Sequence, residues 1–175
     1  MNEIIKRNGI NYGIITGVVS LLITTLIYVI DLKFFTSWWI GLLSIAFYIV
    51  LGCILLSKTK KELKGIFSFK EAFTTYFISA VIGILISVVF NIILFNYIDP
   101  DAKETIKELT MKYTVEMLQK FGTPASEINK AVADLEATDQ FSISKLLQGS
   151  IFSILFSCIF GLILAAIFKS KPSYQ

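Results

Sequence analysis

The sequence has no histidine among its 175 residues, so the commonest catalytic base and metal ligand is missing. It also has no glycine-rich phosphate loop and no G-x-S-x-G serine motif. Its two cysteines, Cys53 and Cys158, both fall inside apolar runs, which favours two buried small hydrophobes over a redox pair. We therefore predict a protein that is not an enzyme and that binds no metal or cofactor.

Charge is missing from four long stretches of the chain. The uncharged runs cover residues 9–30, 34–57, 72–98 and 146–168. Each is long enough for a helix to cross a hydrocarbon core of about 30 Å, which takes roughly 20 residues. The total length leaves room for one domain. The sequence therefore predicts an all-α polytopic membrane protein, with a four-transmembrane-helix bundle in a single domain over residues 1–175.

The third run has the clearest ends. Ser68 and Glu71 precede it with the S-x-x-E spacing of a capping box, in which the hydroxyl and the carboxylate each bind a free backbone N–H group. Asp99 and Pro100 follow it, and proline disfavours helical geometry in the residue before it. These signals predict a helix that begins near Ser68 and stops at Asp99.

Residues 99–145 form the one long polar segment, which is predicted to be a helical hairpin. Gly122 is expected to end its first helix, with Thr123 as the N-cap of the second helix and Pro124 at its first position. The apolar stripe of the first helix consists of Ile106, Leu109, Tyr113 and Met117. Because so short a segment cannot bury a core of its own, this stripe is a candidate contact surface for a protein partner or for the bilayer.

Lysine and arginine are concentrated on one side of the predicted bundle. Nine of them lie in the two chain ends and the loop over residues 58–71, whereas the other short loop carries only Lys33. The positive-inside rule applies to short loops, so both termini are predicted to be cytoplasmic and the hairpin external. These basic residues flank apolar runs and do not form a stripe with exposed aromatics, which argues against nucleic-acid binding.

Small residues recur at every fourth position in three of the four predicted spans. Positions four apart share a helix face, and small side chains let two helix backbones approach closely. The candidate helix-packing residues are Gly9, Gly13, Gly17, Ser79, Gly83, Ser87, Asn91, Ser153, Ser157, Gly161 and Ala165. Packing within one chain is the favoured interpretation, and homodimerisation through an outward stripe is the alternative. Asn91 is expected to hydrogen-bond between helices.

Short motifs at the ends of the spans add a family resemblance. They are Phe69-Lys70-Glu71-Ala72-Phe73 before the third span, Tyr97-Ile98-Asp99-Pro100 after it, and the tail residues Lys169, Lys171 and Pro172. Together with four spans and a helical external insert, they resemble a bacterial membrane family known as domain of unknown function 4199. The resemblance implies a protein of the bacterial inner (plasma) membrane. It implies no activity and no site residues.

Two functional classes fit these observations. The first is a non-enzymatic interaction or scaffold protein that contacts a protein partner, or another copy of itself, through the external insert or the basic cytoplasmic loop. The alternative is a small-solute channel or carrier that acts as an oligomer. Spans without ionisable residues argue against ion-coupled transport, which usually places such groups at membrane depth.

Overall fold

The computed structural model of the chain describes residues 2–170, which are built of helices and short connections. The helices are α1 (Glu3–Ile30), α2 (Trp38–Glu62), α3 (Phe69–Ile93), α4 (Pro100–Lys120), α5 (Ala125–Glu136) and α6 (Ile143–Phe168). A 3₁₀ turn (Leu32–Thr36) precedes α2, and a π-helical turn (Leu94–Ile98) prolongs α3. The tail residues Lys171 and Pro172 lie outside the described part of the chain.

Four of these helices are long and apolar enough to cross a membrane, namely α1, α2, α3 with its π-helical turn, and α6. The pair α4 and α5 lies between the third and fourth of them. The predicted fold class, an all-α multi-pass membrane protein with a helical insert before the last span, is confirmed.

The helices extend past the uncharged runs that predicted them. α1 already begins at Glu3, and α2 continues through the basic residues after Ser57 as far as Glu62. Lysine, arginine and glutamate are good helix formers, and their long side chains reach water from a helix end. Residues 34–36 belong to the 3₁₀ turn, so α2 starts later than predicted.

The helix caps follow their sequence signals with one exception. The Ser68 hydroxyl oxygen accepts a bond from the Glu71 backbone N–H (3.2 Å), and the Glu71 carboxylate accepts one from the Ser68 N–H (2.8 Å), which confirms the capping box. For α5, Pro124 occupies the cap itself and the helix begins at Ala125, so the predicted start was wrong by one residue.

An ion pair and hydrogen bonds show which helix ends lie together. The Arg7 guanidinium pairs with the Glu62 carboxylate at 2.7 Å, and the buried Asn8 amide donates to Thr59 Oγ1 at 3.2 Å. The backbone N–H of Ser170 donates to the Phe67 carbonyl at 2.7 Å. We call this end of the bundle the terminal side, and the opposite end, from which α4 and α5 project, the hairpin side.

The tightest interface joins α1 to α3. The glycines of α1 are buried, and a Cβ atom built on Gly13 would lie 2.7 Å from Cβ of Ile82 and 3.1 Å from the Ser79 carbonyl oxygen. In the same way, a Cβ atom built on Gly9 would meet Ile78, and one built on Gly17 would meet Ile86. Each isoleucine therefore fills the space that a glycine leaves, and the two backbones run close together.

The base of the hairpin is packed onto the hairpin side of the bundle. Its core consists of the buried residues Leu94, Phe95, Ala102 and Ile106. The rings of Phe95 and Phe141 lie 4.3 Å apart, and the Asn96 amide nitrogen donates to the Phe141 carbonyl at 2.9 Å. These contacts fix where α4 begins and where the chain returns to α6.

A hydrogen bond and an ion pair, each to a carboxylate, support the same region. The Tyr28 hydroxyl donates to the Asp99 carboxylate at 2.7 Å, and this bond, together with the bond from the Ala102 backbone N–H, lowers the pKa of Asp99. Burial raises the pKa of Asp139, but the Lys103 ammonium at 2.9 Å and the backbone N–H groups of Phe141 and Ser142 together outweigh it, so that the net pKa is lowered. Both carboxylates are therefore held in their charged form.

Candidate functional site: a cavity among the four long helices

A cavity of about 540 Å³ lies among the four long helices. Its walls come mainly from α3 and α6, which supply residues from Tyr76 to Val88 and from Lys145 to Ser157. At 1.5 Å per residue, each of these stretches is about 18 Å long. α1 contributes Thr16 and Ser20 to the lining, and α2 contributes Tyr48 and Gly52. The cavity is therefore elongated along the bundle.

The space exists because small residues face small residues. On α3 the lining includes Ser79, Ala80 and Gly83, and on α6 it includes Gly149 and Ser153. A Cβ atom built on Gly149 would find no atom within 4 Å. Where α1 meets α3, by contrast, each glycine of α1 faces an isoleucine of α3. Small side chains leave a gap unless the opposite helix supplies bulk.

The ring of Tyr76 closes the cavity toward the terminal side. A Cβ atom on Gly52 of α2 would lie 2.9 Å from this ring, and a Cβ atom on Gly161 of α6 would lie 2.8 Å from it. The ring is thus wedged between two helices that can approach because both have glycine there. Beyond it lies a packed cluster of buried residues, Leu56, Phe67, Ala72, Leu164 and Ala165.

The other end of the cavity carries polar residues. Gln140 and Lys145 contribute to the lining there, and both are exposed. Lys145 is the one charged residue in the lining of this cavity, as far as the described residues go. The cavity therefore combines a hydroxyl-bearing interior with a single cation at its hairpin-side mouth.

The serine hydroxyls of α6 bond mainly to their own helix. Ser150 donates to the Leu147 carbonyl at 2.7 Å, while Ser153 and Ser157 donate to the Gly149 and Ser153 carbonyls at 2.9 Å. A serine that donates its proton in this way keeps its oxygen lone pairs as acceptors. The α6 side of the cavity thus offers weak hydrogen-bond acceptors and no unsatisfied donors. Among the described residues, no buried side-chain N or O atom lacks a hydrogen-bond partner.

Comparison with known protein families matches the chain to a family described as "Protein of unknown function (DUF4199)", over residues 11–170. The chain belongs to this family. Neither the curated proteins nor the solved structures include a match to this chain. The DUF4199 assignment agrees with the resemblance inferred from the span-boundary motifs, and it carries no activity.

The predicted small-residue stripes of this DUF4199 protein have different surroundings. Gly9, Gly13 and Gly17 lie in the α1–α3 interface, and Gly83 faces Thr16 across it at 3.0 Å from a built Cβ. The buried Ser79 lines the cavity, and Ser87 bonds to Ser20 of α1. On α6, Gly161 and Ala165 are buried, whereas Ser153 and Ser157 line the cavity.

Asn91 bonds within its own helix and not across to another. Its amide nitrogen donates to the Ser87 carbonyl at 2.8 Å. The hydrogen bond that crosses between helices in this region runs from Ser20 Oγ to Ser87 Oγ at 2.9 Å. Ser20 and Ser87 could have indicated this bond, but the sequence does not show that α1 lies against α3.

The solvent exposure of the predicted contact stripe of α4 increases along its length. Ile106 is buried in the core at the base of the hairpin, and Leu109 is half-buried. Tyr113 and Met117, farther out, are 37% and 38% exposed, and Phe121 at the end of the hairpin is 80% exposed. The first part of the stripe therefore attaches the hairpin to the bundle, and the outer part faces outward.

Proposed function

We propose that this multi-pass membrane protein has a non-enzymatic interaction role and binds a protein partner through the outer half of α4. The observation that carries this proposal is the exposed apolar row of Tyr113, Met117 and Phe121 on a hairpin whose base is fixed to the bundle. Exposed aromatic and methionine side chains on a rigid support are typical of interface anchors.

Charge favours a protein over the lipid surface as the occupant of this row. The segment over residues 99–145 contains nine carboxylates and six lysines. A net negative segment lacks the attraction to anionic lipid headgroups that a basic segment would have. The basic loop over residues 58–71 remains a second candidate contact surface, on the terminal side.

Site-specific photocrosslinking in intact membranes tests this proposal. A photoreactive amino acid at Tyr113 or Met117 should form a crosslink to the same protein, and one at the exposed Glu116 should not. The crosslink from position 117 should disappear when Tyr113 is also changed to Ser. Crosslinks of equal yield from positions 113, 116 and 117, or none from any of them, would overturn it.

We also propose that the protein lies in the bacterial inner membrane with both termini in the cytoplasm. The basis is the excess of basic residues in the short loops of the terminal side. In a variant without Cys53 and Cys158, a cysteine at the exposed Glu127 should react with an impermeant thiol reagent added to intact cells. A cysteine at the equally exposed Lys61 should stay unlabelled, and its labelling in sealed cells would reverse the orientation.

The second candidate is a small-solute channel or carrier that acts as an oligomer, and one observation favours it. The hydroxyl-lined cavity reaches from the hairpin-side mouth to Tyr76, which is the arrangement expected of a solute path open to one side of the membrane. The packed cluster beyond Tyr76 closes the other side. Solute flux in reconstituted liposomes tests this candidate, because a carrier requires uptake above that of protein-free vesicles.

A further inference from the structure

We propose that the cavity binds a membrane amphiphile with an apolar chain and an anionic headgroup, which enters sideways from the leaflet on the hairpin side. This ligand site is separate from the outer face of α4, so it does not depend on the partner proposed above.

The first support is the size and character of the cavity. Its volume of about 540 Å³ falls in the range of ligand pockets, roughly 300–1,000 Å³. Its lining mixes apolar side chains such as Ile84, Val88 and Phe156 with hydroxyls spaced along its length. An extended chain fits a narrow space whose walls are each about 18 Å long.

The second support is the gap between α2 and α6 on the hairpin side of the bundle. All the buried residues of α2 lie in its terminal half, from Gly52 to Thr59. Gly149 of α6, which lines the cavity, has no atom within 4 Å of a built Cβ. The lining residues Ser153 and Phe156 of the same helix are exposed. The cavity thus opens sideways, where lipid chains surround the bundle, and this favours an amphiphile over a water-soluble solute.

The third support is charge. Lys145 stands at the mouth beside Gln140, and the lining of this cavity contains no carboxylate in the described part of the chain. The ion pairs between described residues are Arg7 with Glu62 and Lys103 with Asp139, so neither engages Lys145. An ammonium group beside an amide, at the polar end of a cavity lined by apolar side chains and hydroxyls, suits an anionic headgroup.

Photolabelling of the full-length protein in phosphatidylcholine vesicles tests this inference. The probe is palmitic acid with a diazirine in its chain, used at mildly alkaline pH so that its carboxyl is ionised. Labelled peptides should map to residues 76–88 of α3 and 145–157 of α6, above the level on outward faces of α1 and α2. Unlabelled palmitate should compete better than hexadecanol, which lacks the charge.

Two matched pairs of variants locate the site. Gly149→Leu places a side chain in the cavity, and Gly41→Leu makes the same change in equally open space outside it. Labelling of the cavity peptides should fall about tenfold in the first and stay unchanged in the second. Lys145→Gln should weaken competition by palmitate about tenfold, whereas Lys130→Gln on the exposed face of α5 should not.

Three results would overturn the inference. They are labelling spread equally over cavity and outward peptides, labelling in Gly149→Leu equal to that in Gly41→Leu, and equal competition by palmitate and hexadecanol. If Gly149→Leu fails to fold, Ser153→Leu fills the same cavity from an exposed position and carries the test. Flux of a soluble solute without cavity labelling would assign the cavity to the carrier candidate instead.

Discussion

The two interfaces of α3 carry the same sequence signal and have different structures. Toward α1, small residues at every fourth position produce close packing along the helix. Toward α6, a comparable row packs closely at Gly161 and Ala165 but lines a cavity at Gly149, Ser153 and Ser157. The difference lies in the two faces of α3, which supply isoleucines toward α1 and small residues toward the cavity beside α6. A small-residue stripe therefore permits close approach without ensuring it.

The largest expected effect comes from adding the same side chain to each interface. Gly13→Leu should destabilise the protein by about 3 kcal/mol, because the new Cβ would meet Ile82 Cβ and the Ser79 carbonyl, neither of which can turn away. Gly149→Leu should change stability by less than about 0.5 kcal/mol, since its Cβ meets nothing. Unfolding in detergent measures both, and equal losses would mean that the two interfaces do not differ.

A smaller effect is expected at Gly161, where the two halves of the α3–α6 interface meet. A Cβ there would lie 2.8 Å from the Tyr76 ring and 3.3 Å from the Phe73 ring. These are side-chain atoms, which can shift at some cost, so Gly161→Leu should destabilise by about 1–2 kcal/mol. Ser153→Leu, on the same stripe but beside the cavity, is the control and should be nearly neutral. Unfolding in detergent measures both, and a loss at Ser153 as large as that at Gly161 would show that α3 and α6 also pack closely at the cavity.

The sequence predicts the membrane spans well because the cost of burying charge acts on every residue of a run. The uncharged runs located all four long helices, and the capping box located the start of α3. Their ends were less accurate, because the charged residues Glu3 and Glu62 continue a helix into water. The absence of charge marks the hydrocarbon region and not the end of the helix.

The cavity could not be predicted in the same way. Its lining joins residues from four helices, among them Thr16, Tyr48 and Lys145, that have no common spacing in the sequence. Which small residues face a bulky neighbour depends on the rotation and order of the helices. The sequence alone gives no contact between α1 and α3, so it identified the stripes without distinguishing an interface from a cavity wall.

The hairpin-side end of the α1–α3 interface should weaken in acid. Tyr28 of α1 donates to Asp99 after α3, and the lowered pKa of Asp99 means that its stabilising effect is complete above the unfolded value of about 3.9. That stabilisation is lost as the pH falls through the lower pKa of the folded state.

Asp99→Asn isolates this charge, because asparagine caps a helix about as well as aspartate. The variant should unfold more readily than the parent protein at neutral pH, and the difference should shrink on acidification below about pH 4. Tyr28→Phe should show the same loss. Curves for the parent and for Asp99→Asn that stay parallel down to pH 3 would exclude a role for the carboxylate charge.

The smallest expected effect belongs to the hydrogen bond between Ser20 and Ser87, which crosses the α1–α3 interface at 2.9 Å. Ser87 also accepts a longer contact from Asn91 at 3.4 Å, so removing Ser87 disturbs two partners and removing Ser20 disturbs one. A double-mutant cycle with both serines changed to alanine separates the pair from these other effects.

Hydrogen bonds between membrane helices average about 0.6 kcal/mol in such cycles, because the separated helices find other partners. We expect a coupling of that size between Ser20 and Ser87, far below the loss at Gly13. A coupling near zero would mean that the serine pair adds nothing to this interface beyond the packing of the glycines against the isoleucines, whereas one above about 2 kcal/mol would make the pair a determinant comparable to the glycines.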